Sequence, residues 1–192
     1  MLFNLSMAMQ TGEDKDMRII ITGGTGFIGR QLTAELLGAG YGVVVLSRDP
    51  AKVAGLPSQV QVERWDAVSA RGWGALADGA LAIVNLAGEN LAGEGFLPSR
   101  WSDARKSRIR DSRLNAGRAV VEAVSAAASK PRAVIQSSGI GHYGYLGGKV
   151  FTESDPPGND FLAQLTVDWE SSTVPVAKQG VGHISIRSGV VL

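Results

Sequence analysis

The chain has 192 residues, no cysteine and a net charge of +1, with 44% of its residues apolar and 19% charged. That length suits one domain with a sizeable core, while disulfides, thiolate catalysis and cysteine-held metal are excluded and no metal site is expected. So small a charge makes no electrostatic case for nucleic acid or an anionic membrane, and no apolar run reaches the length of a membrane span.

Residues 1–16 lack the basic start and sustained apolar stretch of a secretory signal, and they read as a disordered tail ahead of a domain over 17–192. Together with the missing cysteines, this fits a cytoplasmic protein. The first strand is Arg18–Thr22, whose apolar run suits a buried parallel strand. It runs straight into Gly23-Gly24-Thr25-Gly26-Phe27-Ile28-Gly29, and a helical pattern through Leu32, Leu36 and Leu37 follows. A pyrophosphate needs bare glycine backbone and the positive end of a helix. Gly23 permits the tight turn, Gly26 lets the backbone approach phosphate, and Gly29 lets helix and strand pack closely. No Gly-Lys-Ser/Thr follows, which excludes a P-loop.

Further strands are predicted at Val43–Ser47, Val60–Trp65 and Leu81–Leu86. A long helix over Asp103–Ser129 puts Leu114, Val121, Val124 and Ala128 on one face before Pro131 ends it. Ala133–Ser137 makes a fifth strand, Gly139–Pro157 a glycine- and proline-rich loop, and Phe161–Lys178 a helix that Pro175 should kink or shorten. His183–Arg187 is the sixth strand. Short crossovers between apolar strands imply an α/β fold: a Rossmann-type, doubly wound parallel sheet with helices on both faces and a crevice at the carboxyl ends of its strands. The closing Ser188-Gly-Val-Val-Leu192 brings no covering element, so a truncated chain is expected.

TGGTGFIG at the first turn, NLAGE after the fourth strand and QSSGIGHYG after the fifth resemble the extended short-chain dehydrogenase/reductase superfamily. RWSDARKSRIRDSRLN, FTESDPPGNDF, DWE and IRSGVVL resemble its atypical epimerase-family branch, also described as nucleoside-diphosphate-sugar-epimerase-like or cell-division-inhibitor-like. The likeness runs from Met17 to Leu192; members of the branch continue into a smaller C-terminal lobe that completes the substrate site. It implies a nucleotide cofactor, an unidentified small-molecule substrate and, as in many relatives, pairing into a homodimer.

Dinucleotide folds place an acidic residue at the end of the second strand to hold the ribose hydroxyls. Ser47-Arg48 stands there instead, and a guanidinium suits a 2′-phosphate, so NADP(H) is favoured over NAD(H). By resemblance Asp66 meets the adenine amino group, while Asn85, Leu86, Ala87 and Gly88 lie beside the adenine ribose, although Asn85 could instead cap a turn.

The superfamily's chemistry uses a Ser, a Tyr and a Lys four residues after it. The Tyr must lose its proton near neutral pH, which calls for a nearby cation. Ser138 is the candidate serine, with Ser137 second; both could simply close the strand. By resemblance the Tyr and Lys positions hold Asp160 and Gln164, so the usual pair is absent. Tyr145 and Lys149 have the right spacing, but Gly147-Gly148 argues against a helix there. Tyr143 is the better tyrosine, either facing the nicotinamide or packing. A base role for His142 is speculative, and His183 reads as a core histidine.

The cations from Arg100 to Arg113 read as a solvated helix face. Arg113 is the exception, because the resemblance puts it within reach of an anionic substrate group. Two functions from different classes stand: an NADP(H)-dependent reductase or epimerase using Ser138 and Tyr143, and a dinucleotide-binding regulator without catalysis.

Overall fold

A computed structural model describes residues 17–91, 101–144 and 148–191. The expected tail at 1–16, Arg100 and Tyr145 lie outside the described residues. Six strands form one sheet: β1 (Arg18–Thr22), β2 (Gly42–Ser47), β3 (Gln61–Arg64), β4 (Ala82–Asn85), β5 (Ala133–Gly139) and β6 (Gly182–Ser188). Their order is β3-β2-β1-β4-β5-β6, and every neighbouring pair is parallel. The order reverses beside β1, which is where a doubly wound sheet opens its crevice.

Strand alternation sends the two apolar sets to opposite faces. Ile20, Val44, Ile83 and Val134 meet Ala116, Val120 and Val124 of α2 (Asp103–Ala126) on one face. On the other, Ile19, Ile21, Val43 and Val45 meet Leu32, Leu36 and Leu37 of α1 (Phe27–Gly38). Phe27 and Ile28, on the first turn of α1, stay out of that core, at 70% and 44% exposed.

Beyond one-residue shifts at the ends of β2, β3, β4 and β6, three elements end differently from expectation. α2 stops at Ala126, where Ala127 turns extended and the Lys130 ammonium donates to the carbonyls of Val124, Ser125 and Ala127. The helix expected over Phe161–Lys178 splits into α3 (Phe161–Ser171) and a 3₁₀ segment at Val174–Gln179. Pro175 explains the break: its ring cannot coexist with the carbonyl one turn earlier, but it opens a new helical turn readily. β5 runs on to Gly139 and pairs with β6 along its whole length, Ser138 standing opposite Arg187.

A buried polar thread crosses the sheet. The Thr22 hydroxyl donates to Asn85 Oδ1 at 2.6 Å, and Asn85 Nδ2 donates to Gln136 Oε1 at 2.8 Å. Gln136 also accepts from the Thr173 hydroxyl at 3.1 Å, and Thr173 lies 2.9 Å from His183 Nε2. Every side chain along this thread has a partner, as burial demands.

Candidate functional site

The junction of β1 and α1 is built from close backbone approaches. Gly23 has φ +71°, a conformation open to glycine, and a Cβ there would lie 2.9 Å from the Leu86 carbonyl carbon and 3.0 Å from the Ala87 nitrogen. Gly29 is buried beneath the loop, where a Cβ would strike the Gly23 carbonyl oxygen and sit 2.6 Å from Gly24 Cα. Helix α1 begins after Gly26, which offers no side-chain cap, so its first amides are left for another acceptor.

Over this junction opens a cavity of about 980 Å³. It is lined by Gly23, Thr25 and Gly26, by Ser47, Arg48, Asp49 and Lys52, and by Leu86 to Asn90. Among the described residues, Arg30, Arg48, Lys52, Arg105 and Arg108 line it against Asp49 and Glu89, an excess of positive charge. Arg30 is fixed by its Nε–H, which donates to the Thr25 carbonyl at 2.8 Å, and by a second bond to the Ala54 carbonyl.

A second constellation sits at the carboxyl ends of β5 and β6. Arg187 grips Glu170 of α3 with both arms, Nε to Oε1 at 2.8 Å and Nη2 to Oε2 at 2.9 Å. Its remaining nitrogen, Nη1, donates to the Tyr143 hydroxyl oxygen at 2.9 Å and to the Glu153 carbonyl at 3.2 Å. Ser138 donates to the same Glu170 Oε1 at 2.6 Å. Burial pushes the Glu170 carboxyl up, but the bonds from Arg187 and Ser138 outweigh it and the net shift is downward. The Glu170 carboxylate raises the Arg187 guanidinium in return. His142 is buried with Nδ1 3.9 Å from Glu170 Oε1; burial, then Arg187, lowers it, against the pull of Glu170. Phe151 stacks on the Tyr143 ring at 4.9 Å, and a cavity of about 490 Å³ opens over Tyr143, Phe151 and Arg187.

Residues 19–168 match the NAD dependent epimerase/dehydratase family over most of the chain. The chain belongs to that family. Epimerase family protein SDR39U1 of Mus musculus and YfhF of Bacillus subtilis are each 32% identical over 177 residues, covering 92% of this chain and 55% of theirs. The crystal structure of human epimerase family protein SDR39U1 (isoform 2) with NADPH superposes with a TM-score of 0.74 at 28% identity, over 91% of this chain and 54% of that one. A nucleoside-diphosphate sugar epimerase from Corynebacterium glutamicum gives 0.71 at 31% identity, over 91% and 34%. The chain thus spans about half the length of the relatives it matches along most of its own.

Against the family's expected sites, the cavity wall holds Gly23, Thr25, Gly26, Ser47, Arg48, Leu86, Ala87 and Gly88. Five others lie elsewhere. Phe27 and Ile28 stand exposed on the first turn of α1, and Gly29 is buried under the loop. Asn85 is fully buried and holds β1 to β5 through Thr22 and Gln136, so it neither touches the cavity nor caps a turn. Asp66 closes its own turn, accepting from the amides of Val68 and Ser69 at 2.8 Å each and from the Ser69 hydroxyl at 2.7 Å. The Ser69 hydroxyl, then the two amides, hold its carboxyl below the usual range. Its neighbours Trp65 and Ala67 face the cavity instead.

The solvated-face reading fails for Arg105 of this epimerase-family chain, which is buried along with Arg113, the residue set apart from that face. Arg105 and Arg113 are only 5% and 6% exposed. Arg105 Nη2 donates to the Leu91 carbonyl at 2.9 Å, and Arg113 Nη1 to the Glu89 and Ile109 carbonyls at 3.1 and 3.0 Å. Arg113 lies between Gly88, where a Cβ would come within 2.9 Å of its guanidinium, and the Trp169 ring at 4.8 Å. Burial pulls that guanidinium down to about 10, with Glu89 opposing. Asp160 caps α3, accepting from the Ala163 amide at 2.9 Å, and Gln164 donates to Asp168 at 2.9 Å. Sequence reasoning gave Glu170 and Arg187 no role. The signal was there: His183, Ser185 and Arg187 alternate with Ile184 and Ile186, marking a polar face on β6.

Proposed function

We propose that this chain binds NADP(H) in the 980 Å³ cavity and serves an oxidoreductase or epimerase acting on a carbonyl or sugar-like substrate. The observation that carries it is the β1–α1 junction: bare glycine backbone packed against Leu86 and Ala87, uncapped helix amides, and a positive wall at the end of β2. These residues fit a dinucleotide. Gly23 to Gly26 would hold the diphosphate, Leu86 to Gly88 would lie along the ribose, and Arg48 with Lys52 would meet a 2′-phosphate. The NADPH in human SDR39U1 supports the choice of nucleotide. When bound, the nicotinamide supplies hydride exchange; the chain's own part is to position the substrate oxygen and to move a proton at the Tyr143 hydroxyl. Ser138 serves this site through Glu170, since its hydroxyl proton lies on that carboxylate.

The test is thermal shift with each nucleotide. NADPH should stabilise the protein more than NADH, and Arg48→Glu should weaken NADPH binding about tenfold while leaving NADH nearly unchanged, the scale of one exposed charge contact reversed. Equal responses to both nucleotides, insensitive to Arg48→Glu, refute the NADP(H) assignment. One observation favours a second reading, a dinucleotide-binding regulator: Asp160 and Gln164 are engaged in helix-local bonds where the superfamily's Tyr and Lys are expected. NADPH binding with no NADPH consumption against a carbonyl panel would favour it, whereas consumption unaltered by Tyr143→Phe would refute only the role of Tyr143.

A further inference from the structure

Tyrosine can act as an acid only if something nearby carries the charge it leaves behind. Neither expected position on α3 supplies a cation, since they hold Asp160 and Gln164. The structure assigns that task to Arg187, which comes from a different strand and reaches the phenolic oxygen of Tyr143 directly. This rests on the proposed chemistry at Tyr143 and names the residue that makes it work.

Three observations carry the inference. First, the direction of the bond: Arg187 Nη1–H donates into the Tyr143 oxygen at 2.9 Å, so the phenolic proton is left to point elsewhere. Tyr143 borders the 490 Å³ cavity, which is where an acceptor on a substrate can lie. Second, the cation is held rigidly. The two-armed bond to Glu170 leaves the guanidinium one geometry, and its centre lies 5.3 Å from the Tyr143 ring centroid. Third, Glu170 is itself anchored by Ser138 at 2.6 Å.

Glu170 does not cancel the effect. The pair is a fixed dipole whose positive end touches the phenolic oxygen while the carboxylate lies on the far side of the guanidinium. Preorganised dipoles of this kind stabilise charge where it develops. The proton leaves Tyr143 Oη for the substrate oxygen, and the negative charge stays on Oη against Arg187 Nη1. Arg187 touches the reacting group, so it acts as a catalytic residue; Glu170 and Ser138 are positioning residues.

The experiment needs neither substrate nor cofactor, so it is independent of nucleotide binding. N-acetylimidazole acetylates a tyrosine oxygen most readily where negative charge on that oxygen is stabilised: the O–C bond forms, the acetyl–N bond breaks, and imidazole leaves with the proton. Rates are read per tyrosine by peptide mass mapping. In the wild type, Tyr143 should react faster than Tyr41 although Tyr143 is the more buried of the two. Arg187→Gln should slow Tyr143 about tenfold, and Arg187→Lys should restore part of the rate. If Arg187 only packs against the ring, Arg187→Gln loosens the site and Tyr143 reacts faster, which overturns the proposal, as does an unchanged rate. Where Arg187→Gln does not fold, the wild-type order decides alone: Tyr41 ahead of Tyr143 overturns it.

Discussion

Two alanines in one helix should move stability in opposite directions. At Gly29 an added Cβ meets only backbone: the Gly23 carbonyl oxygen, Gly24 Cα at 2.6 Å and the Gly24 carbonyl carbon at 2.8 Å. That is about 1 Å short of ordinary contact, and none of these atoms can swing aside as a side chain would. Overpacking of this kind costs about 3 kcal/mol, and the better helix propensity of alanine returns about 1 kcal/mol, leaving a net loss of about 2 kcal/mol. For a chain of this length that lowers Tm by about 4–8 °C. At Gly38, the last residue of the same helix, nothing lies within 4 Å of an added Cβ. Gly38→Ala should therefore raise Tm by about 1–3 °C. Differential scanning calorimetry of both variants, with far-UV circular dichroism as the folding check, measures the contrast. A Gly29→Ala protein melting at or above the wild type refutes the claim that helix and loop are in backbone contact there.

Gln136→Leu should destabilise by about 1–3 kcal/mol in urea unfolding, because it strands the buried Asn85 side-chain amide; Asn85→Leu added to it should recover part of that loss. Stability should also fall as pH drops below about 6.5. His142 and His183 are lowered in the folded state, chiefly by burial, so the unfolded chain takes up their protons first. Their contribution is complete above the unfolded value and is lost as pH falls through the folded ones, at most about 1.4 kcal/mol per pH unit for each. Tm between pH 6.5 and 5 measures it, and His142→Gln should flatten the slope; an unchanged slope refutes the assignment.

Much of the nucleotide side could be read from the residues because it is local. Ile19 to Ile21, the glycines and the helix after them are contiguous, and each glycine's role follows from the turn it must make. Asn85 misled because an asparagine after an apolar run looks the same whether it faces a ligand or a neighbouring strand; only the β1–β4–β5 register settles it. The Glu170–Arg187 pair depends on α3 and β6 packing over Ser138, a long-range fact. Arg105 and Arg113 were within reach of pattern reasoning: with Ile109 they repeat every four residues, the stripe that faces the core.

Thr22 has one proton and two lone pairs, and all are committed: the proton to Asn85, the lone pairs to the amides of Leu86 and Ala87, each at 3.1 Å. The tip of β1 and the stretch leaving β4 are therefore latched as a single piece. A visiting molecule cannot pry these two apart without orphaning a buried donor, so adaptation to its shape must come from the opposite bank, between Arg48 and Val53. A ligand held in this cradle would meet one fixed jaw and one able to adjust.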